Sequence, residues 1–158
     1  MFLEIDNFLD QNGCDFFSKF HKENYNKLPE NFKKSHRKTE VIKFENFMSD
    51  DRFKYLYSKI VSIAKSINEN YFPNYLEIVR WPKNEYQPLH NDFNYHPLTS
   101  IIYLNDDFKG GETIVDGKKI EPKKGRLISF NGFKLKHEVS KITQGERFTI
   151  ICWYKEWS

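Results

Sequence analysis

Along the chain the spacing of apolar positions changes once, near Pro73, and the change separates a helical half from a strand-rich half. From Asn12 to about Asn26, Phe16, Phe17 and Phe20 recur at helical spacing, with Asn12 or Asp15 near the start. From Ser49, the set Phe53, Leu56, Tyr57, Ile60, Ile63, Ala64 and Ile67 repeats every three or four residues and forms one apolar stripe of a second helix. Ser49 is the candidate cap, and Asp50 and Asp51 bring negative charge to the helix N-terminus. Between the helices, Leu28 to Thr39 reads as a loop, and Pro29 to Asn46 as a candidate lid.

Beyond Pro73, short β-branched and aromatic runs follow one another: Leu76–Trp81, Thr99–Leu104, Glu112–Val115, Lys118–Glu121, Arg126–Phe130, His137–Ile142 and Arg147–Tyr154. Asp116-Gly117 separates two of them and predicts a two-residue hairpin turn, which requires positive φ at both positions. Many short strands without intervening helices predict a mainly β (α+β) fold, a sandwich or jelly roll, with the helices packed on one face. The expected organisation is one domain over 1–158, with a helical buttress at about 1–70 and a β core at about 71–158.

Composition narrows the class without naming a function. Aromatic residues make up 17% of the 158 residues and charged residues 30%, which fits neither a disordered nor a collagen-like chain. The net charge of +3, from 25 basic and 22 interspersed acidic residues, is too small to point to nucleic acid as the partner. No run approaches the ~20 apolar residues of a membrane span, and the start carries Glu4 and Asp6 where a signal peptide needs a basic flank. A cytoplasmic protein with no membrane partner is expected, its Cys14 and Cys152 reading as buried, reduced thiols.

The first candidate for chemistry is His90-Asn91-Asp92, because residues two apart on an extended segment point to the same side and can grip one ion. Alone the pair decides little, since chance supplies one in roughly every third chain of this composition. His137, which opens a later strand, and Arg147, which opens the last, raise its weight. Two His and one carboxylate on one face of a metal define the facial triad of non-haem Fe(II) oxygenases.

In this setting the chain resembles the prolyl 4-hydroxylase branch of the Fe(II)- and 2-oxoglutarate-dependent dioxygenases. The resemblance covers roughly Leu76 to Tyr154 and rests on His90-Asn91-Asp92, Ile102-Tyr103-Leu104-Asn105, Gly110-Gly111-Glu112-Thr113, Ile120-Glu121-Pro122-Lys123, His137-Glu138-Val139 and Gly145-Glu146-Arg147, in that order. It implies a double-stranded β-helix, a jelly-roll variant. It further implies His90, Asp92 and His137 as iron ligands, and Arg147 and Tyr103 as contacts to the distal carboxylate of 2-oxoglutarate. Thr149 shares the strand parity of Arg147 and is a further candidate for that carboxylate. The implied catalytic set is His90, Asp92, His137 and Arg147, using Fe(II), 2-oxoglutarate and O2, with ascorbate as a supporting reductant.

The implied substrate is a peptide or protein containing proline, or free proline; another amino acid, a metabolite or a nucleobase is the alternative, and a non-catalytic jelly-roll binding module the rival from another class. Trp153, on the parity of Arg147, would form a flat wall for a pyrrolidine ring, with Trp81 and Tyr86 further candidates on the substrate side. The chain departs from the family's pattern at Trp81-Pro82-Lys83-Asn84, where a Tyr and a Gly-containing turn are usual. His96 reads as a pocket-rim residue, His21 and His36 as exposed, and Lys33 to Lys38 as a solvated basic loop.

Overall fold

Both amphipathic stripes form helices in the computed structural model, which describes residues 1–158. The first, α1, spans Gln11–Asn24, and the second, α2, spans Asp51–Ile67. The cap of α1 is Asp10, ahead of both Asn12 and Asp15, and that of α2 falls one residue after Ser49. Asp10 accepts from the Gly13 amide at 2.7 Å, and Asp50, not Ser49, is the extended residue whose carboxylate accepts from the Arg52 amide at 2.8 Å.

The strands are β1 (Phe2–Ile5), β2 (Lys33–His36), β3 (Thr39–Lys43), β4 (Tyr71–Trp81), β5 (Gln87–His90), β6 (Leu98–Tyr103), β7 (Thr113–Val115), β8 (Lys118–Ile120), β9 (Leu127–Phe130), β10 (His137–Val139) and β11 (Arg147–Glu156). They form a seven-stranded sheet in the order β1-β9-β6-β11-β4-β3-β2 and a four-stranded sheet in the order β5-β10-β7-β8. Every pairing is antiparallel. Asp116 (φ 50°) and Gly117 (φ 77°) make the expected turn between β7 and β8.

Alternation along β11 divides the interior. Phe148, Ile150, Cys152 and Tyr154 join a core cluster of 20 buried residues with the stripes of α1 and α2, including Phe17, Phe53, Leu56 and Ile60. The opposite face packs Ile101, Tyr103, Ile128 and Phe130 of the large sheet on Val115 and Ile120 of the small one. Each fully buried Leu, Ile or Phe contributes about 1.5–3 kcal/mol by leaving water. The functional face is therefore the inner one, between the two sheets.

The first 70 residues are more than a helical buttress. β1 extends the large sheet beyond β9, and the β2–β3 hairpin extends it beyond β4. Leu28 to Thr39 is accordingly not a loop: its turn is made by Arg37 at φ 62° without a glycine, which hid the hairpin from the sequence pattern. β5 was hidden by Pro88, tolerated because β5 is an edge strand.

The basic cluster is likewise tied down. Lys33 donates to the Tyr25 carbonyl at 2.9 Å, Lys34 pairs with Glu77 at 2.6 Å, and Arg37 pairs with Glu85 at 3.2 Å. His21 is buried, not exposed: its Nε2 lies 2.8 Å from the Glu40 carbonyl and its ring stacks on Tyr25. Cys14 and Cys152 are buried free thiols, and burial pushes the Cys14 pKa up to about 11.

Candidate active site

β10 pairs with β5 so that His137 stands directly opposite His90, which brings both imidazoles together on the small sheet. Asp92 follows just beyond β5, where its amide donates to the Gly132 carbonyl at 2.9 Å. One ligand atom from each of the three lies within 4.8 Å of the others. Asp92 Oδ1 is 3.1 Å from His137 Nε2 and 3.5 Å from His90 Nε2.

The outer nitrogens decide which atoms face inward. His90 Nδ1 lies 2.9 Å from the Pro88 carbonyl, and His137 Nδ1 lies 2.9 Å from the Leu135 carbonyl. A carbonyl only accepts, so each Nδ1 carries a proton and each Nε2 is turned toward Asp92. On the far side, Thr99 Oγ1 donates to Asp92 Oδ2 at 2.6 Å, leaving Oδ1 to face the two imidazoles. Burial opposes the charge on Asp92, but hydrogen bonds from His137, His90 and Thr99 outweigh it and hold the carboxyl well below the usual range. The hydrogen bond to Asp92 raises the His90 pKa against the opposing effect of burial. Gly132 is required here because a Cβ would sit 2.1 Å from Asp92 Oδ2.

Arg147 opens β11 on the inner face, and its side chain is fully buried. Nη2 donates to Thr113 Oγ1 at 3.1 Å, and the Tyr103 hydroxyl lies 2.5 Å from the same oxygen. Nε has no hydrogen-bond partner. Burial lowers the guanidinium pKa, with Tyr103 the opposing influence. An unmade buried hydrogen bond costs about 1–3 kcal/mol, and a buried charge without a counterion costs several more. Such a group is suited to an anion brought from outside. Thr149, opposite Tyr103 in the register, is buried on the same inner face.

The three remaining aromatic candidates lie in three different places. Trp81, opposite Arg147 in the register, lies under the guanidinium with the charge centre 4.9 Å from its ring, which places it at the arginine end of the cleft. Trp153 stands opposite Thr99, and its ring stacks on His96 at 6.3 Å. Tyr86 is exposed and lies under Arg37 at 4.3 Å, turned to the tip of the β2–β3 hairpin. His96 is buried between Trp153 and Asn74, whose Nδ2 lies 3.2 Å from its Nε2.

Residues 76–155, half of the chain, match the family described as the 2OG-Fe(II) oxygenase superfamily. This chain belongs to that superfamily. It is also 37% identical over 70 residues to prolyl 3-hydroxylase 2 of Rattus norvegicus and of Homo sapiens, a match covering 39% of this chain and 10% of each relative. The chain thus spans about a tenth of the length of those relatives. Among solved structures, a viral collagen prolyl hydroxylase from Paramecium Bursaria Chlorella virus-1 in its 2OG complex superposes with a TM-score of 0.73 at 19% identity, covering 99% of this chain and 96% of the other. A Pseudomonas putida prolyl-4-hydroxylase superposes at 0.77 with 14% identity, covering 99% and 93%. At these identities the superpositions establish the shared fold, a jelly roll with flanking helices.

The superfamily uses Fe(II) and 2-oxoglutarate, with O2 as cosubstrate, and the residues present fit both groups. Two imidazole nitrogens and one carboxylate oxygen lie within 4.8 Å of one another, a donor set of the type that could hold a metal ion such as iron. The orphaned Arg147 Nε supplies an unspent donor for a carboxylate. The sequence pattern alone did not single out Thr99, Thr113 or Gly132. Their contacts cross between strands, so only the register exposes them.

Proposed function

We propose that this chain is an Fe(II)- and 2-oxoglutarate-dependent prolyl hydroxylase acting on peptidyl or free proline. The observation that carries the proposal is a three-donor cluster, His90, Asp92 and His137, combined with a fully buried arginine whose Nε lacks a partner. The matched relatives named as prolyl hydroxylases support proline as the target.

In this reading iron is held by His90 Nε2, His137 Nε2 and Asp92, and the distal carboxylate of 2-oxoglutarate by Arg147, with Tyr103, Thr113 and Thr149 around it. When bound, these groups would supply the oxidative decarboxylation of 2-oxoglutarate by O2, one oxygen atom ending in succinate as carbon dioxide leaves and the other entering a C–H bond of the substrate. The chain's own contribution is placement. Thr99 and Gly132 keep Asp92 aimed at both imidazoles, and the Pro88 and Leu135 carbonyls hold the Nδ1 protons. Phe130 stands edge-on to His137 with ring centroids 4.9 Å apart, which restricts water on that side. Trp153, opposite Thr99 in the register, borders the space beside Asp92, and fixing the target ring in that space would lower the entropic part of the barrier.

Residues 1–158 act as one domain in this proposal, supported by β1 and β3, which carry the N-terminal part into the sheet that bears Arg147. No helix is long and apolar enough to cross a membrane. We assign the protein to the cytoplasm, on its free thiols, and allow ascorbate as a supporting reductant. A screen of proline peptides, free proline and other small metabolites for Fe(II)- and 2-oxoglutarate-dependent succinate release tests the assignment. Release strongest with a proline-containing compound is expected; release only with substrates lacking proline would overturn the prolyl reading.

A further inference from the structure

Glu77 is a carboxylate on the inner face of β4 with only 3% of its surface exposed, an expensive place for an acid. Its cationic partner is the ammonium of Lys34, 2.6 Å from Oε2, reaching in from edge strand β2. That ammonium also sits over two aromatic rings, 5.3 Å from the centroid of Tyr75 and 5.9 Å from that of Trp153. One buried carboxylate with two π faces is a receptor for an alkylammonium ion, since the ring faces and the acid attract the same charge.

Two further observations separate this arrangement from a simple latch on the hairpin. The Lys34 side chain is 44% exposed, so solvent lies next to the ammonium and its withdrawal needs no movement of the core. Lys34, Tyr75 and Glu77 also line a cavity of about 600 Å³, which gives an external group a way in. The other charged groups on the cavity wall are Lys43 and Glu45, so withdrawing Lys34 leaves two acids facing one lysine. The site adjoins the candidate metal centre: Trp153 stands opposite Thr99, whose hydroxyl holds Asp92.

We propose that Glu77, Tyr75 and Trp153 form a subsite for an alkylammonium group of the substrate, which Lys34 fills as an internal stand-in until substrate displaces it. The subsite rests on the hydroxylase reading for its role, because it would favour a target proline with a lysine nearby in the peptide. Its existence as a cation site is independent of iron and of 2-oxoglutarate.

Titration with n-butylammonium chloride, followed by the indole N–H shift of Trp153, tests it directly. Because an occluded site binds more weakly by the fraction of time it is open, Lys34→Ala is expected to bind the probe at least about tenfold tighter than the unaltered chain. Adding Glu77→Gln to that variant is expected to abolish the gain, and n-butanol is expected to bind neither. Lys34→Met, which keeps the apolar stem, serves if Lys34→Ala does not melt cooperatively. No tighter binding in a folded Lys34 variant, binding indifferent to Glu77→Gln, or loss of folding in both Lys34 variants would overturn the subsite. Succinate release with a blocked proline–lysine peptide, its norleucine counterpart and free proline then identifies the source of the ammonium. Preference for the lysine peptide supports the side-chain source, and no preference for it over norleucine overturns that role. Absence of release with all three overturns the hydroxylase reading and leaves the cation titration to stand alone.

Discussion

His137 lies directly opposite His90 across the β5–β10 pair, and a single antiparallel pairing therefore brings together two residues 47 positions apart in the chain. If that pairing presents iron ligands, anaerobic addition of Fe(II) and 2-oxoglutarate should produce a visible metal-to-ligand charge-transfer band. His137→Ala is expected to remove the band, and a chelator is expected to bleach it in the unaltered chain. A band of unchanged intensity in the variant would count against the proposed ligand set.

Thr99 acts on Asp92 from the side away from the imidazoles. Thr99→Val keeps the shape and removes the hydroxyl, so Asp92 Oδ2 loses its partner and the carboxylate is free to rotate. Losses of this kind lower metal affinity by about 10–100-fold. Thr99→Ser should restore most of it. Metal titration of the three forms is the check, and equal affinities would show that Thr99 only fills space.

Arg147 sets stability against function. Its charge is buried with Nε unpaired, so Arg147→Met should leave the melting temperature equal or higher. The same change removes the anchor for a carboxylate, a loss of about 2–4 kcal/mol, or roughly 30- to 1000-fold in 2-oxoglutarate affinity. Calorimetry of melting and of 2-oxoglutarate binding separates the two effects. A large fall in stability with unchanged binding would make Arg147 a structural residue.

Acid stability has an identifiable contributor where β1 meets the approach to β9. Hydrogen bonds from Arg126 and Lys123 lower the Asp6 pKa to about 2, from an ordinary value near 4. A depressed carboxyl contributes stability that is present above its unfolded pKa and is lost as pH falls through the folded value. Asp6→Asn should therefore be less stable than the unaltered chain above about pH 4, with the difference closing toward pH 2. Denaturant melts across that range provide the measurement. The difference should shrink in high salt because the pair is solvent-exposed.

The helices, most strands after Pro73 and the β7–β8 turn were legible because period and turn chemistry are local properties. Local reading failed where tertiary structure chose between options. Lys34 and His21 belong to polar residue types usually found near water, yet the fold turns one toward a buried carboxylate and encloses the other beside Tyr25. β2 and β3 lack a Gly turn signal and gain their place by extending β4. The candidate metal-binding and carboxylate-binding residues stand out by type and order, whereas Thr99 and Thr113 gain meaning only from the strands they face.

The most direct test of the central claim is mass spectrometry of a proline peptide incubated with the protein, Fe(II), 2-oxoglutarate and O2. The expected result is a gain of one oxygen atom on proline, matched mole for mole by succinate and absent for His137→Ala. A protein that forms the charge-transfer band and releases succinate with other substrates, yet leaves every proline unmodified, would contradict prolyl hydroxylation.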